Sequence, residues 1–334
     1  MKDLYKSCIL CPRNCAVDRL SGEVGFCGET AQLRIGAAVI HKGEEPPLVG
    51  QGGSGTIFVS GCNLGCSFCQ NYQISQGNQV SQDSYNAENA ESGINGGGRL
   101  GKAVSPDKFA KICIALSEKG AENINIVTGS HAIPGLMEGI NKARKCGVSL
   151  PVLWNSSGYD SPEALELLSD YVDIFLPDLK TLDSQIAKNF FNAPDYPKAA
   201  EAAILKMIEI IERKTVHNPK EKIIIRHLIL PGYLDSTHSV LKWFAKNVKD
   251  RAMLSLMTQY TPVLRSPPPN RQRPMPERFV SKEEYETVLY WLQELKIEEG
   301  FCQELVTGND WLPDFNRSNP FPSELSVPVW SLQK

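Results

Sequence analysis

Three cysteines, Cys62, Cys66 and Cys69, stand at intervals of four and three residues within Gly61-Cys62-Asn63-Leu64-Gly65-Cys66-Ser67-Phe68-Cys69-Gln70-Asn71. Thiolates are the preferred ligands of iron–sulfur clusters, and three on one short loop can converge on a cubane [4Fe–4S] cluster if the loop curls around it. Gly61 and Gly65 ease that curl, because glycine adopts backbone angles closed to other residues. Three protein ligands would leave one iron of such a cluster open to another molecule. The competing reading is structural zinc, but such sites take four ligands in a tetrahedron, and no fourth cysteine or histidine lies nearby in the sequence.

A second group, Cys8, Cys11, Cys15 and Cys27, offers four thiolates with two, three and eleven residues between them. Four is the closed-shell number, so this set suits either an auxiliary [4Fe–4S] cluster for electron relay or a structural zinc that folds a segment with little core of its own. An electron path tips the reading toward iron–sulfur. Two disulfides are disfavoured by the reducing compartment expected for an enzyme-sized chain that opens with no signal peptide. Cys113, Cys146 and Cys302 stand alone, in or beside helical patterns, and read as buried or partly buried free thiols.

The triad directly follows the apolar run Thr56–Val59, the first of six candidate strands; the others are Ile124–Val127, Val152–Trp154, Val172–Leu176, Ile223–Ile225 and Met253–Leu256. Helical patterns separate them, and Ser105-Pro106 and Ser161-Pro162 each put an N-cap serine before a proline at the first helical position. This alternation predicts an α/β fold with a parallel sheet, a partial, open TIM-type barrel of about six βα units. Such folds build their sites at the C-terminal ends of the strands, where the triad sits. Residues 1–50 form a cysteine-rich N-terminal segment, residues 51–262 the barrel, and residues 263–334 a C-terminal helix and extended tail. The stretch from Gln32 to Gly53, with Glu44-Glu45-Pro46-Pro47, reads as a connector of turns and short extended pieces. The polar, glycine-rich stretch from Gly77 to Gly101 reads as a mobile surface insertion. Ser266-Pro267-Pro268-Pro269 and Arg271-Gln272-Arg273-Pro274 connect to a helix from Lys282 to Leu295, and Trp311, Phe315, Phe321 and Trp330 in the tail read as a strap packed on the barrel rather than a binding box.

The chain has 334 residues, ten cysteines and a net charge of −3. Its lysines are scattered without a basic stripe, which leaves no electrostatic footprint for nucleic acid. No stretch approaches the roughly 20 apolar residues of a membrane-spanning helix. A cytoplasmic location with neither membrane nor nucleic acid as partner is expected.

The triad, with Phe68 just before its third cysteine, resembles the radical S-adenosylmethionine (SAM) superfamily, whose cluster motif is Cys-x3-Cys-x2-Cys. Over nearly the whole chain the resemblance extends to pyruvate formate-lyase activating-enzyme-like proteins, and most closely to uncharacterised homologues with extra N-terminal cysteines. It is carried by Cys11-Pro12-Arg13-Asn14-Cys15, Gly43-Glu44-Glu45-Pro46-Pro47, Cys69-Gln70-Asn71-Tyr72 and Trp154-Asn155-Ser156-Ser157-Gly158-Tyr159, and continues with Leu176-Pro177-Asp178-Leu179-Lys180, Ile225–Gly232 and Met257–Pro262. The resemblance implies that SAM chelates the open iron. An electron from the reduced cluster then cleaves it to methionine and a 5′-deoxyadenosyl radical, which abstracts hydrogen from a substrate. It implies SAM contacts from Asp178, Lys180 and Arg226; Asn155 and Ser157, at the end of the third strand, are candidates for polar contacts. A solvated salt bridge is the alternative for Asp178 and Lys180. Activating enzymes carry Gly-Gly-Glu after the second strand to hold the SAM amino group, whereas this chain has Thr128-Gly129-Ser130-His131. Backbone carbonyls at Thr128 and Gly129 can still accept from the amine, but the acidic contact is lost. His131 reads equally as a proton donor or substrate contact and as a structural hydrogen-bonder.

Reduced ferredoxin or flavodoxin is the electron donor the superfamily implies, and a glycyl-radical protein the partner its activating enzymes imply. The competing class is a non-enzymatic iron–sulfur electron carrier or assembly protein, which needs neither an open iron nor a SAM pocket.

Overall fold

A computed structural model describes residues 2–76, 99–214, 219–263, 275–306, 308 and 311–333. Residues 77–98 of the expected insertion, and the proline-rich connection from Ser266 to Pro274, lie outside the described residues.

The six predicted strands are β2 (Ser54–Val59), β4 (Ile124–Val127), β5 (Val152–Ser156), β6 (Ile174–Pro177), β7 (Ile224–Leu228) and β8 (Met253–Met257). Four others join them: β1 (Arg34–His41), β3 (Lys102–Ala103), β9 (Gly300–Cys302) and β10 (Ser326–Ser331). One sheet runs β10-β1-β2-β4-β5-β6, with β3 on β1, and a second runs β7-β8-β9. Parallel bridges Phe175↔Ile223 and Asp178↔Arg226 link β6 to β7. From β2 to β9 every neighbouring pair is parallel; β1 is antiparallel to both β2 and β10. The fold is α/β with a mostly parallel central sheet, and its strands are apolar runs because both faces are covered.

The crossovers are α3 (Pro106–Glu118), α4 (Ile133–Lys145), α5 (Pro162–Leu167), α6 (Ser184–Phe191), α7 (Tyr196–Lys214), α8 (Leu234–Asn247) and α9 (Lys282–Glu294); two short helices, α1 (Pro46–Val49) and α2 (Tyr72–Ser75), lie outside that series. Ser105 and Ser161 cap as predicted, accepting from the Lys108 and Ala164 amides at 3.2 and 3.4 Å, each cap stabilising its helix by about 1 kcal/mol. Helix α9 opens on a capping box between Ser281 and Glu284. The core lies between sheet and helices, with Trp154, Phe109, Phe175 and Phe190 fully buried. Among the described residues, no helix is long and apolar enough to cross a membrane.

The connector expected from Gln32 to Gly53 is the main departure. Its Arg-Ile-Gly-Ala-Ala-Val-Ile-His run forms β1, buried along all but its first residue because β2 and β10 flank it. Small residues broke its apolar pattern, and the proline and glycine after it dominated the reading. Beyond β1, Pro46 starts α1, whose Leu48 packs against Leu153, Ile174, Leu176 and Ile224. In the tail, Phe315 is buried against Phe58 (ring centroids 5.4 Å apart), Phe321 stacks edge-on to His41 at 4.8 Å, and Trp330 is held on β10. Cys113 is a buried free thiol, but Cys146 and Cys302 are exposed.

Candidate functional site

The loop after β2 carries the triad. Gly61 makes its first turn at φ 83°, and an added Cβ there would collide with the Glu29 side chain at 2.4 Å. The loop is then tied down on three sides. The Gly65 and Ser67 amides donate to the Phe191 and Phe190 carbonyls at the end of α6, at 3.1 and 2.8 Å. Arg13, from the N-terminal segment, donates to the Asn63 carbonyl at 2.9 Å and to the Asn192 carbonyl at 2.6 Å, its guanidinium 3.6 Å above the Phe26 ring. Ser157 donates to Asn63 Oδ1 at 3.3 Å, and Gln70 to the Gln259 carbonyl at 2.8 Å. Phe68 wedges between Phe191 and Tyr260, each centroid 5.8 Å away.

A cavity of about 870 Å³ opens beneath this loop. Cys62, Cys66, Cys69, Thr128, Asn155, Ser157, Asp178, Lys180 and Arg226 all line it, so nine residues singled out from the sequence face one space. Gly129 and His131 are absent from that lining. Gly129 packs where a Cβ would meet the Trp154 ring at 2.6 Å, and His131 is buried with Nε2 on the Ser60 carbonyl at 2.8 Å. That contact is a structural hydrogen bond, and it is made outside the lining of this cavity. Burial, with the Arg19 guanidinium beside it, pushes the His131 ring down to about 3 and keeps it neutral.

The electrostatics of the cavity are set by two ion pairs. Lys180 Nζ lies 2.5 Å from Asp178 Oδ2, with both side chains about four-fifths buried. A Tyr196 hydroxyl knits their backbone to β5: it sits 2.9 Å from the Ser157 carbonyl and 2.8 Å from the Asp178 carbonyl, and accepts from the Lys180 amide at 3.0 Å. Gly158 permits this approach, since at φ 73° its missing Cβ would lie 2.1 Å from the Asp178 carbonyl oxygen. Burial pushes the Cys66 thiol up to about 12, although Lys180 pulls the other way, and burial with Cys66 and Cys69 alongside pushes Cys62 up as well. These sulfurs stay protonated until a metal claims them, and loading releases protons.

The second pair has carboxylate partners that sequence reasoning did not identify. Arg226, expected at the cofactor, is committed to Glu44 and Glu45: Nε donates to Glu45 Oε1 at 2.7 Å, and Nη2 contacts both carboxylates. Asn125 donates to the other Glu44 oxygen at 3.0 Å. Glu44-Glu45-Pro46-Pro47 was visible as a shared stretch, but its role was hidden because its partner lies 181 residues on. The cavity is completed by His41, Gln259, Gln303, Trp311, Phe321 and Cys302, so two aromatics of the tail strap also serve as cavity wall.

Thr128 stands in the left-handed region at φ 63°, which costs a β-branched residue roughly 1–2 kcal/mol. Its amide donates to the Asn155 carbonyl at 2.9 Å, fixing the turn where β4 and β5 end. Thr128→Gly is expected to hold or raise the unfolding free energy, by up to about 1 kcal/mol, because relief of strain offsets the added chain entropy. A loss above that, read by denaturant unfolding, would show that side-chain packing outweighs the strain.

The four N-terminal cysteines gather around a separate cavity of about 10 Å³, which His131 also lines. Burial pushes Cys11 up to about 12, with Cys27, Cys8 and Cys15 adding in that order. Among the described residues, no three His, Cys, Asp or Glu side chains already converge closely enough to hold a single ion. The fit of a cluster at the triad rests on the donor set: three thiolates on one curled loop, facing a cavity whose volume lies within the roughly 300–1,000 Å³ of small-molecule sites.

Comparison with known proteins agrees. An uncharacterized protein of Methanocaldococcus jannaschii is 30% identical over 289 residues, covering 86% of this chain and 75% of that protein. Among solved structures, the catalytic domain of a hyperthermophilic chitinase from Pyrococcus furiosus aligns with a TM-score of 0.32 at 13% identity, over 46% of this chain and 55% of that one. Mutants of active domain 2 of a thermostable chitinase from Pyrococcus furiosus, complexed with chito-oligosaccharides, give 0.31 at 14% over the same shares. This chain thus spans little more than half of each, and likeness at that level carries no argument. Residues 56–244, which hold the triad loop and half of the residues lining the cavity, match the radical SAM superfamily, and the chain belongs to that superfamily.

Proposed function

We propose that the protein reductively cleaves SAM at a [4Fe–4S] cluster held by Cys62, Cys66 and Cys69, and that hydrogen is taken from a substrate inside the 870 Å³ cavity. One observation carries the reading: the three thiols and the polar residues at the ends of β4, β5 and β6 face the same space. When bound, cluster and SAM supply an electron and a 5′-deoxyadenosyl radical, the agent of hydrogen abstraction. The chain's residues position these partners. Lys180 offers its cation to the SAM carboxylate. Asn155, Ser157 and Asp178 offer acceptors and donors to the amine and ribose, and the Thr128 carbonyl takes part of the work of the missing acidic side chain. Trp311, Phe321, Phe68 and Phe58 supply an apolar part of the wall, the surface that would keep water from the reacting atoms.

An electron carrier would need no such cavity behind its cluster, and so that reading is not favoured. The finer assignment, an activating-enzyme-like protein acting on a glycyl-radical partner with reduced ferredoxin or flavodoxin as donor, is supported by the shared sequence stretches. A partial, open TIM-type βα barrel of about six units, running β2-β4-β5-β6-β7-β8, is the architecture that fits it. The test is dithionite-dependent turnover of SAM by anaerobically reconstituted protein.

A further inference from the structure

We propose that the N-terminal cavity is a metal site in which His131 Nδ1 joins Cys8, Cys11 and Cys27, so that one tetrahedral divalent cation of the zinc class ties the N-terminal segment to the turn after β4. The argument starts from the ring. Its Nε2 faces the Ser60 carbonyl at 2.8 Å and so carries the proton, leaving Nδ1 as a bare lone pair. That nitrogen is buried without a partner, on a residue lining the same cavity as the cysteines. An unpaired buried acceptor is costly to desolvate, and a metal ion would remove that cost.

Arg19 Nη1 points at Cys8 Sγ at 3.8 Å. Burial pushes the Cys11 and Cys27 thiols up, and the Arg13 and Glu29 backbone amides that donate to them offset part of that rise. Cys15 is also met by the Phe26 amide, at 3.4 Å, but it is the least buried of the four. The cavity of about 10 Å³ has room for one small sphere, and a single ion would take bonds near ~2.3 Å to sulfur. Binding would draw the side chains inward and release thiol protons. The inference does not rest on SAM chemistry.

The test uses full-length protein carrying Cys62→Ser, Cys66→Ser and Cys69→Ser, prepared without oxygen and titrated with Co²⁺ and then Zn²⁺. One equivalent of Co²⁺ should bind with the charge-transfer intensity of three thiolates, and Zn²⁺ should displace it. His131→Asn should weaken binding at least about tenfold and change the ligand-field bands, whereas Cys15→Ser should leave both unchanged. His131→Cys should restore binding with the intensity of four thiolates, which a packing role for the ring would not produce. The proposal is overturned by an unchanged Co²⁺ spectrum and affinity in His131→Asn, by loss of intensity in Cys15→Ser, or by iron and sulfide loading four irons at this cavity.

Discussion

Arg226→Met should cost about 3–5 kcal/mol at neutral pH, the toll of leaving a buried charge without its partner. The arginine side chain is 12% exposed and those of Glu44 and Glu45 are 10% and 6% exposed, so solvent cannot take over when the guanidinium goes. The pH dependence distinguishes this from a packing defect. Burial pushes the Glu45 carboxyl up, but the Arg226 guanidinium overrides it and holds the group below the usual carboxylate range. In the wild type this contribution is complete above the unfolded pKa and is lost as pH falls through the lower folded value. Without Arg226 the sign reverses: burial alone raises the folded pKa, so the penalty is largest at neutral pH and shrinks as acid protonates the carboxyls. Denaturant unfolding at pH 5 and pH 8 reads the difference, and adding Glu44→Gln and Glu45→Gln to Arg226→Met should recover most of the loss at pH 8. Equal loss at both pH values, with no recovery, would mean that shape rather than charge carries the effect.

Lys180→Met should weaken SAM binding by about tenfold to a hundredfold, the worth of one charge-assisted hydrogen bond of roughly 1.5–3 kcal/mol. Lys180 is the cation nearest the triad in effect, since it opposes the burial that raises the Cys66 thiol. It is also paired to Asp178 at 2.5 Å, so the salt bridge forms on the wall of the large cavity, where the proposed cofactor contact would be made. They separate by measurement. If Lys180 holds the cofactor, the change a bound SAM makes in the electron paramagnetic resonance of the reduced cluster should need far more SAM in the variant, and Lys180→Arg should restore part of the affinity. If the pair is only structural, the SAM titration will be unmoved while stability falls.

What the sequence revealed and what it hid follow from the range of the interactions. Strands β2 and β4 to β8 were legible because each is a short apolar run between well-marked helix starts, and Ser105 and Ser161 cap through contacts three residues long. The triad was legible because its ligands share one loop. Strand β1 was not, because Gly36, Ala37 and Ala38 dilute its apolar signal and its burial depends on β10, nearly 300 residues away. Arg226 was found but its carboxylate partners were not, since pairing with Glu44 and Glu45 arises only when β7 is laid beside β6 and α1 turns back toward it. Arg13 and Tyr196, which brace the triad loop and the Asp178–Lys180 strand end, carried no spacing signal; both act on backbone carbonyls that the fold alone brings near. His131 was noticed as part of a departure from Gly-Gly-Glu, and it lines the small cavity of the N-terminal cysteines rather than the large one.

The most direct measurement is the yield of 5′-deoxyadenosine from SAM by anaerobically purified protein, reconstituted with iron and sulfide and reduced with dithionite, beside Cys66→Ala. Dithionite-dependent product from the wild type and none above background from Cys66→Ala, which keeps all four N-terminal cysteines, is the expected result. Equal product from both, or none from a wild type whose triad demonstrably carries its cluster, would contradict SAM cleavage at Cys62, Cys66 and Cys69.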